Sequence, residues 1–359
     1  MTKNRTIYLA GGCFWGMEKL MRSISGVTDA VSGYANGSGE ADASYEAVCT
    51  GLTGFRETVR VDYDPAAVTL DALLFAYYSV IDPSLENRQG PDIGSQYQAG
   101  IYYSDPADIP AIDRVTGVVK SRSGEFHVEI KPLKNFFPAE EYHQRYLEKH
   151  PGGYCHIPPA KMRASAASAV DPGRYPLPGD SELKARLTPA GYRVIREGAT
   201  EPPFSSPYWA SGETGIYVDA ATGEPLFSSH DKFLSTCGWP AFSKPIEEPC
   251  VTERYDGTYD IDGSFRTEVR SRAGNSHLGH VFRDEPGTPT GTRYCINGAA
   301  LRFVPYEDME KEGYGYLRKI FELSKILKLP GHVRGVFVLY SFTHWHTNAH
   351  RFAEHSYAS

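Results

Sequence analysis

Cysteines are the side chains of this 359-residue sequence with the clearest potential for chemistry, and Cys13 has the most suggestive surroundings. It lies in the stretch GGCFWG at residues 11–16. The paired glycines permit a tight turn from a strand into a helix. N–H groups in the first turn of a helix favour negative charge, so a thiol there should ionise more easily and act as a nucleophile. The stretch predicts a nucleophilic Cys13 beside an aromatic wall of Phe14 and Trp15, and a small buried residue at an ordinary turn is the alternative.

Other side chains of the first half could complete such a site. Glu57 lies at the edge of a predicted strand, where burial would raise its pKa and make it a proton donor. A surface carboxylate paired with a neighbouring arginine is the alternative for this residue. Asp92 and Tyr97 belong to a polar loop, DIGSQY, and add a carboxylate and a phenol. Cys155 follows two glycines, so it is a candidate resolving thiol that approaches Cys13, or else a plain loop thiol.

The second half carries three further clusters. They are Cys237 with Trp239, His277 with His280, and Arg293 with Cys295 and Asn297. Alternation along a strand places Arg293, Cys295 and Asn297 on one face, whereas two imidazoles three residues apart would face opposite sides. An arginine beside a cysteine favours the thiolate, and an asparagine can position a polar ligand. A core cysteine, structural histidines and a turn tryptophan are the alternatives, but three clusters in one small domain favour a second site.

Composition restricts the function classes. The formal net charge of −7 offers no basic surface for nucleic acid, and no apolar run is long enough to span a membrane. The polar N-terminus has no apolar signal-peptide core, so a cytoplasmic location is expected. The six cysteines are dispersed and form no Cys-x-x-Cys pair, which disfavours a structural zinc site built on such pairs. Dispersed thiols in a reducing compartment are either inert or redox-active.

Hydrophobic patterning predicts a multidomain α+β protein. In residues 1–163, predicted strands (6–10, 58–63, 98–103, 127–132) alternate with predicted helices (14–24, 70–81, 109–120), which indicates a mixed sheet with helices packed on it. Residues 164–181 are rich in Ala, Ser, Pro and Gly and read as a linker, with a surface loop as the alternative. Residues 182–306 hold a short helix (181–187) and short strands (215–218, 265–271, 279–282, 293–296), which predicts a mostly antiparallel β domain.

Residues 307–359 are predicted to contain a helix, over 306–329 and broken at Gly313 and Gly315, followed by a histidine-containing tail. His346 and His350 are four residues apart, a spacing that could chelate a metal on a helix. No acidic or cysteine partner lies at a set spacing from them, so a peripheral tail is the preferred interpretation and no metal is predicted.

The motifs of the first half together resemble an A-type methionine sulfoxide reductase. They are GGCFWG at 11–16, YEAVCTG at 45–51, DIGSQY at 92–97 and GYC at 153–155. The resemblance implies a two-layer, ferredoxin-like α/β domain in which Cys13 attacks the sulfoxide sulfur, Glu57 protonates the oxygen and Cys155 resolves the product. It implies substrate contacts from Phe14, Trp15, Tyr45, Asp92 and Tyr97. One departure is Phe55–Arg56 before Glu57, where the family has a histidine and a small residue.

The clusters of the second half, with TEPPF at 200–204 and RTEVRS at 266–271, resemble a B-type methionine sulfoxide reductase. This resemblance implies Cys295 as nucleophile, Cys237 as resolving thiol and Trp239 against the substrate methyl group. It implies oxygen binding and proton donation by His277, His280, Arg293 and Asn297. Many members bind zinc through two Cys-x-x-Cys pairs. Asp219, Thr222, Ser271 and Gly274 occupy those positions here, which predicts a domain without zinc; Cys49 and Cys250 have no role in either pattern.

The two resemblances imply a bifunctional enzyme that reduces methionine sulfoxide, free or in proteins. They assign the S epimer to the first site and the R epimer to the second, through sulfenic acid and disulfide steps, with thioredoxin as reductant and no cofactor. A general thiol–disulfide oxidoreductase is one alternative, although it would not need aromatic methyl pockets. A module that binds oxidised methionine without turnover is another, which the intact thiols disfavour.

Overall fold

One six-stranded sheet organises the N-terminal half, in the order β7-β6-β1-β3-β2-β8. The computed structural model describes residues 4–259, 263, 265–283, 287–288 and 290–321. The strands are β1 Arg5–Ala10, β2 Val27–Ala35, β3 Arg56–Tyr63, β4 Arg88–Gln89, β5 Asp92–Ile93, β6 Gly100–Tyr103, β7 Glu129–Pro132 and β8 Phe136–Pro138. The helices are α1 Phe14–Ser23, α2 Tyr45–Cys49, α3 Leu70–Val80, α4 Ile109–Lys120, α5 Tyr146–Lys149 and α6 Pro159–Ala167.

The sheet is mixed, as predicted. β1 is antiparallel to both β3 and β6, β3 is antiparallel to β2, and β6 runs parallel to β7. β1 and β2 therefore point the same way with β3 between them. Apolar residues of the central strands, such as Leu9 and Val61, are fully buried in the core that also contains Leu20 of α1 and Leu73 of α3. This packing fixes the start of α1 and the start of β3 near each other.

The sequence pattern placed some elements better than others. α4 has the predicted bounds, and β3 and α3 differ from their predictions by one or two residues. The prediction missed β2 and β8, which pair with each other at one side of the sheet. β2 carries Thr28, Asp29, Ser32 and Gly33 among its apolar residues, so its pattern does not repeat every two residues.

The C-terminal half is antiparallel β structure, which confirms that prediction. Two helices, α7 Asp180–Arg186 and α8 Pro189–Glu197, precede the strands. β9 Gly215–Asp219, β10 Pro225–Ser228 and β17 Leu301–Pro305 form one sheet. β11 Lys232–Phe233, β12 Ala241–Phe242, β13 Val251–Tyr259, β14 Phe265–Ser271, β15 His277–Phe282 and β16 Arg293–Ile296 form the other, in the order β11-β12-β16-β15-β14-β13. All of their pairings are antiparallel.

The stretch predicted as a linker is bonded to both halves. Glu247 accepts hydrogen bonds from Ser168 Oγ (2.7 Å) and from the backbone N–H of Ala169 (2.8 Å). On the other side, Asp171 accepts from the backbone and the hydroxyl of Thr69 at 3.0 and 2.6 Å. The described residues up to Tyr306 accordingly form one compact unit.

A second unit begins at Glu307. Its described residues, 307–321, form turns, a short 3₁₀ segment, Gly315–Leu317, and helical residues at 319–321. The predicted break near Gly313 is present, but turns replace the helix predicted before it. Gly313 has a φ of +85°, a conformation that interrupts a helix and that glycine adopts readily. The histidine-containing tail lies outside the described residues. Within those residues, no helix is long and apolar enough to cross a membrane.

Candidate active sites

Cys13 immediately precedes α1, at the turn that the glycines make possible. Gly12 has a φ of +78°, and a Cβ there would lie 2.8 Å from Cβ of Gln89. The Cys13 side chain is only 7% exposed. Burial, and then the nearby Glu57 carboxyl, raise the pKa of the Cys13 thiol, and a hydrogen bond from the Trp15 backbone opposes them only in part. The expectation of an acidic thiol at this helix end is therefore wrong, because the lost hydration outweighs the helix terminus.

Glu57 is the buried acid beside this thiol. Its side chain is 2% exposed on β3, and Oε2 accepts a hydrogen bond of 3.0 Å from the backbone N–H of Phe14, the residue after Cys13. Burial raises the pKa of the Glu57 carboxyl to about 8. The alternative of a surface ion pair is wrong, since Arg56 pairs with Glu129 instead (3.2 Å). At neutral pH this carboxyl carries a proton that it can donate.

Two phenols and a carboxylate face the same place. Burial raises the pKa of both Tyr45 and Tyr97, and the charges of Glu57 and Cys13 contribute to both increases. Asp92 Oδ1 accepts a hydrogen bond of 3.0 Å from the hydroxyl of Tyr154. Tyr45, Tyr97 and Asp92 are thus within electrostatic range of Cys13 and Glu57.

The aromatic wall is larger than the sequence analysis predicted. The indole N–H of Trp15 donates to Nδ1 of His143 (3.1 Å), and the Trp15 ring stacks on Tyr146 with centroids 3.8 Å apart. Phe14 is buried behind it, with its ring 5.1 Å from that of His143. His143 and Tyr146 were not among the predicted site residues. Their only local signal is the concentration of acidic and aromatic residues in EEYHQRY at 140–146.

Cys155 lies against the helix that Cys13 begins. A Cβ added to Gly16 would lie 3.0 Å from Sγ of Cys155, so this thiol packs on the first turn of α1. Its Sγ donates a weak hydrogen bond to the carbonyl of Ile157 at 3.5 Å, and burial raises its pKa. Cys49 is exposed at the end of α2. The structure therefore brings the predicted resolving thiol to the helix turn of the predicted nucleophile.

Cys237 and Cys295 form the thiol pair of the second site. Their sulfur atoms are 3.4 Å apart, with Cys295 as the donor. This hydrogen bond lowers the pKa of Cys237 to about 5 and raises that of Cys295. The positive charge of Arg293, whose guanidinium also lies 4.4 Å from the ring centroid of Phe282, favours the thiolate. The hydrogen bond between the sulfurs and the charge of Arg293 therefore both favour a thiolate at Cys237.

His277 and His280 lie on the same side of the sheet, contrary to the prediction. The register of β15 against β14 shifts at Gly279, which has a φ of +152°, and this irregularity turns both imidazoles toward one cavity. The two ring centroids are 5.7 Å apart. A cavity of about 560 Å³ is lined by Gly198, Thr200, Arg254, Tyr255, Asp256, Gly257, Arg266, Glu268, His277 and His280.

Each imidazole has its own carboxylate. Nδ1 of His277 is 2.6 Å from Glu268, and its Nε2 has no hydrogen-bond partner among the described residues. Both ring nitrogens of His280 are engaged, Nε2 by Asp256 (2.7 Å) and Nδ1 by Arg266 (3.1 Å). Burial lowers the pKa of His280. His277 is therefore the imidazole with a nitrogen free for a ligand, a distinction that the sequence did not provide.

Trp239 and Asn297 are tied to one loop. The indole N–H of Trp239 donates to the carbonyl of Glu201 (3.1 Å), and Oδ1 of Asn297 accepts from the Glu201 backbone N–H (3.0 Å). The amide of Asn297 also donates to the carbonyl of Leu278 (3.0 Å). These bonds fix the backbone next to the two histidines and leave one amide hydrogen of Asn297 for a ligand.

The four positions assigned to zinc ligands in related domains lie together and hydrogen bond. Asp219 is fully buried and accepts from Ser276 Oγ (3.0 and 3.1 Å) and the backbone of Ala221 (2.8 Å). A Cβ on Gly274 would lie 2.6 Å from Asp219 Oδ2. One carboxylate, two hydroxyls and a glycine do not fit zinc, which prefers sulfur and nitrogen ligands.

Comparisons with known proteins agree with the two-part organisation. A family model described as peptide methionine sulfoxide reductase matches residues 5–172, and a model of the SelR domain matches residues 187–305. A crystal structure of Mxr1 from Saccharomyces cerevisiae in reduced form is 39% identical, covering 43% of this chain and 89% of that one, with a TM-score of 0.41. Methionine sulfoxide reductase A of Corynebacterium diphtheriae is 34% identical, covering 44% of this chain and 84% of its own, with a TM-score of 0.39.

Proposed function

Because the chain belongs to the methionine sulfoxide reductases, with an A-type domain followed by a B-type domain, we propose that each domain reduces one epimer of methionine sulfoxide. The Cys13 site takes the S epimer and the Cys295 site takes the R epimer, in free or protein-bound substrate. The observation that carries this proposal is that each candidate nucleophile has a partner thiol nearby, with Glu57 bonded to the residue after Cys13 and His280 opposite Cys295 in the register of β15 and β16.

At the first site, Glu57 acts as the acid. The sulfur of Cys13 attacks the sulfoxide sulfur as the buried carboxyl protonates the sulfoxide oxygen, assisted by hydrogen bonds from Tyr45 and Tyr97. The thiol proton of Cys13 passes to the Glu57 carboxylate, the oxygen passes to Cys13 as the sulfoxide S–O bond breaks, and methionine leaves with a sulfenic acid on Cys13. The raised pKa of the Cys13 thiol makes this protonation essential, because a polarised substrate must compensate for the protonated nucleophile.

At the second site, Cys295 attacks while its proton moves to Cys237 across the hydrogen bond between them. His277 protonates the oxygen through Nε2, and Arg293 stabilises the developing charge. His280, which is hydrogen-bonded to Asp256 and Arg266, forms part of the cavity wall beside the substrate. Trp239 packs on the substrate methyl group.

Each sulfenic acid then condenses with its partner thiol and releases water. The partners are Cys155 for Cys13 and Cys237 for Cys295, and the disulfides that result are reduced by a dithiol protein, thioredoxin. Cys237 is already in contact with Cys295, whereas Cys155 must rotate away from the Ile157 carbonyl.

We further propose that the boundaries of the two domains lie near residues 163 and 182, and that the split β-α-β order of the first sheet makes it ferredoxin-like.

An assay with the two separated epimers tests the proposal. With dithiothreitol as reductant, Cys13→Ser should abolish reduction of the S epimer alone, and Cys295→Ser that of the R epimer alone. Cys250→Ser is a control at a buried cysteine outside both sites. If Cys13→Ser abolished reduction of both epimers, the two-site model would be wrong. Binding of methionine sulfoxide by the wild type without turnover of either epimer would favour the binding-module alternative.

A further inference from the structure

An arginine of the A-type domain is inserted into a loop of the B-type domain. Arg122 follows the C-terminal end of α4, and its guanidinium donates to the carbonyl of Ser271 at 3.1 Å and to that of Arg272. Its Nε donates to Oδ1 of Asn275 at 3.1 Å. Asn275 in turn donates to Oγ of Ser121 at 2.7 Å. One helix end of the first domain thus binds both ends of the loop 271–276.

The acceptors of Arg122 are neutral, two carbonyls and an amide. Burial lowers the pKa of Arg122 to about 10, which still leaves the guanidinium charged at neutral pH. The buried guanidinium of Arg122 is held strongly by these acceptors, because their separation would leave the buried charge and the carbonyls without hydrogen-bond partners. Asn275 has a φ of +49°, so the loop also depends on a backbone conformation that its side-chain contacts maintain.

The loop leads directly to the active-site imidazole. From Asn275, the carbonyl accepts a hydrogen bond of 2.8 Å from Arg270, whose Nε is 2.8 Å from the carboxylate of Glu268. Glu268 in turn lies 2.6 Å from Nδ1 of His277. The contacts therefore run without a break from Arg122 of the first domain to His277 of the second.

The opposite side of the loop rests on the buried Asp219 cluster. Ser276 donates to this carboxylate, and its backbone N–H donates to Oγ of Ser271. Ser271 and Gly274 do not offer zinc ligands, and the loop is held by this cluster, by Glu224, which accepts hydrogen bonds from Arg272 and Ala273, and by Arg122. The A-type domain thereby contributes part of the support for a loop of the B-type site.

We propose that Arg122 is a positioning residue for the B-type active site, acting through Asn275, Arg270 and Glu268 on His277. The proposal rests on the proposed role of the Cys295 site in reducing the R epimer. Full R-epimer activity accordingly requires the docked A-type domain, independently of whether Cys13 is active. On the A-type side, Ser121 and Arg122 make the hydrogen bonds to the loop 271–276.

The experiment compares Arg122→Ala and Arg122→Lys with the wild type in the full chain. In Arg122→Ala, kcat for the R epimer should fall about 10-fold or more, because misplaced catalytic groups lose rate steeply, while KM changes less than about 3-fold. S-epimer kinetics should stay unchanged. Arg122→Lys, which keeps a charged donor for the carbonyls but loses the guanidinium fork, should recover part of the R-epimer kcat. Lys120→Ala, two residues earlier on the exposed side of α4, is the matched control and should leave both reactions unchanged.

Three results would overturn the proposal. One is an unchanged R-epimer kcat in Arg122→Ala, and another is an equal loss for both epimers, which would indicate general misfolding. The third is a loss that appears only in KM. Should the alanine variant not fold, Ser121→Ala and Arg122→Lys carry the same comparison, since each removes only part of the contact and each must lower the R-epimer kcat selectively. Failure of the proposed function gives a different result, namely wild-type R-epimer turnover that survives Cys295→Ser.

Discussion

Replacement of Glu57 by glutamine removes the acidic proton and keeps the size and shape of the side chain. Glu57 is buried beside Cys13, and its raised pKa of about 8 keeps it protonated at neutral pH. Glutamine can still accept the hydrogen bond from Phe14, but it cannot transfer a proton to the substrate oxygen. General acid catalysis is worth about 10²- to 10⁴-fold, so S-epimer kcat should fall by this factor in Glu57→Gln. The R epimer should be reduced at the wild-type rate.

The same substitution should change stability with pH. A tenfold change in proton affinity is worth about 1.4 kcal/mol. An increase in the pKa of the Glu57 carboxyl from 4.5 to about 8 therefore means that its ionisation lowers the free energy of unfolding by about 5 kcal/mol. The folded protein binds this proton more tightly than the unfolded chain does. The neutral Glu57 carboxyl therefore makes its full contribution to the stability of the fold below pH 4.5, and this contribution is lost as the pH rises through 8. Glutamine does not ionise, so the variant gains stability relative to wild type between pH 6 and pH 9.

Two measurements test this reasoning. S-epimer kcat of the wild type, followed from pH 6 to 9.5, should decline with a midpoint near pH 8, and the residual activity of Glu57→Gln should lack that decline. Thermal unfolding of both proteins at pH 6 and pH 9 should show a higher relative midpoint for the variant at pH 9.

Glu129→Gln is the matched control. Burial opposes ionisation of Glu129, but hydrogen bonds from Lys131 and Tyr102 lower its pKa. Ionised Glu129 therefore contributes stability above the ordinary carboxyl pKa, and Glu129→Gln should be less stable than wild type at both pH values. A Glu57→Gln enzyme that retains more than a tenth of the S-epimer rate would refute the assignment of Glu57 as the acid. A relative stability that does not rise toward pH 9 would refute its buried, neutral state.

Three further outcomes are expected. Cys155→Ser should stop after one turnover of the S epimer with a sulfenic acid on Cys13, measured by dimedone labelling and mass spectrometry; a Cys13–Cys49 crosslink in the wild type would contradict the assignment. Asp219→Ala should destabilise the chain by about 3 kcal/mol in denaturant unfolding, since its buried donors lose their acceptor; an unchanged midpoint would show that the cluster is not structural. Thr69→Ala should lower the free energy of unfolding by about 1–2 kcal/mol, because the Thr69 hydroxyl caps α3 and bonds to Asp171. Thr50→Ala, at an exposed helix end, is the control and should lower it less.

The sequence by itself determined the two-part organisation and the thiols that we propose for the reaction. Contiguous motifs identified all four thiols assigned to the reaction, and local periodicity placed α1, α3 and α4 within about a residue. Such features depend on neighbours within a few positions, which the sequence displays directly. A prediction of this kind fails where the local pattern is irregular, as in β2, or where turns replace an expected helix, as in residues 307–312.

Only the tertiary structure decided how those side chains act. Burial depends on the whole core, and it reverses the expected acidity of Cys13 while making a proton donor of Glu57. A register shift between two strands, not visible in the spacing, brings His277 and His280 to one cavity. The contact of Arg122 with the loop 271–276 joins residues about 150 positions apart. Desolvation and contacts between distant segments arise when the chain folds, so no local pattern encodes them separately.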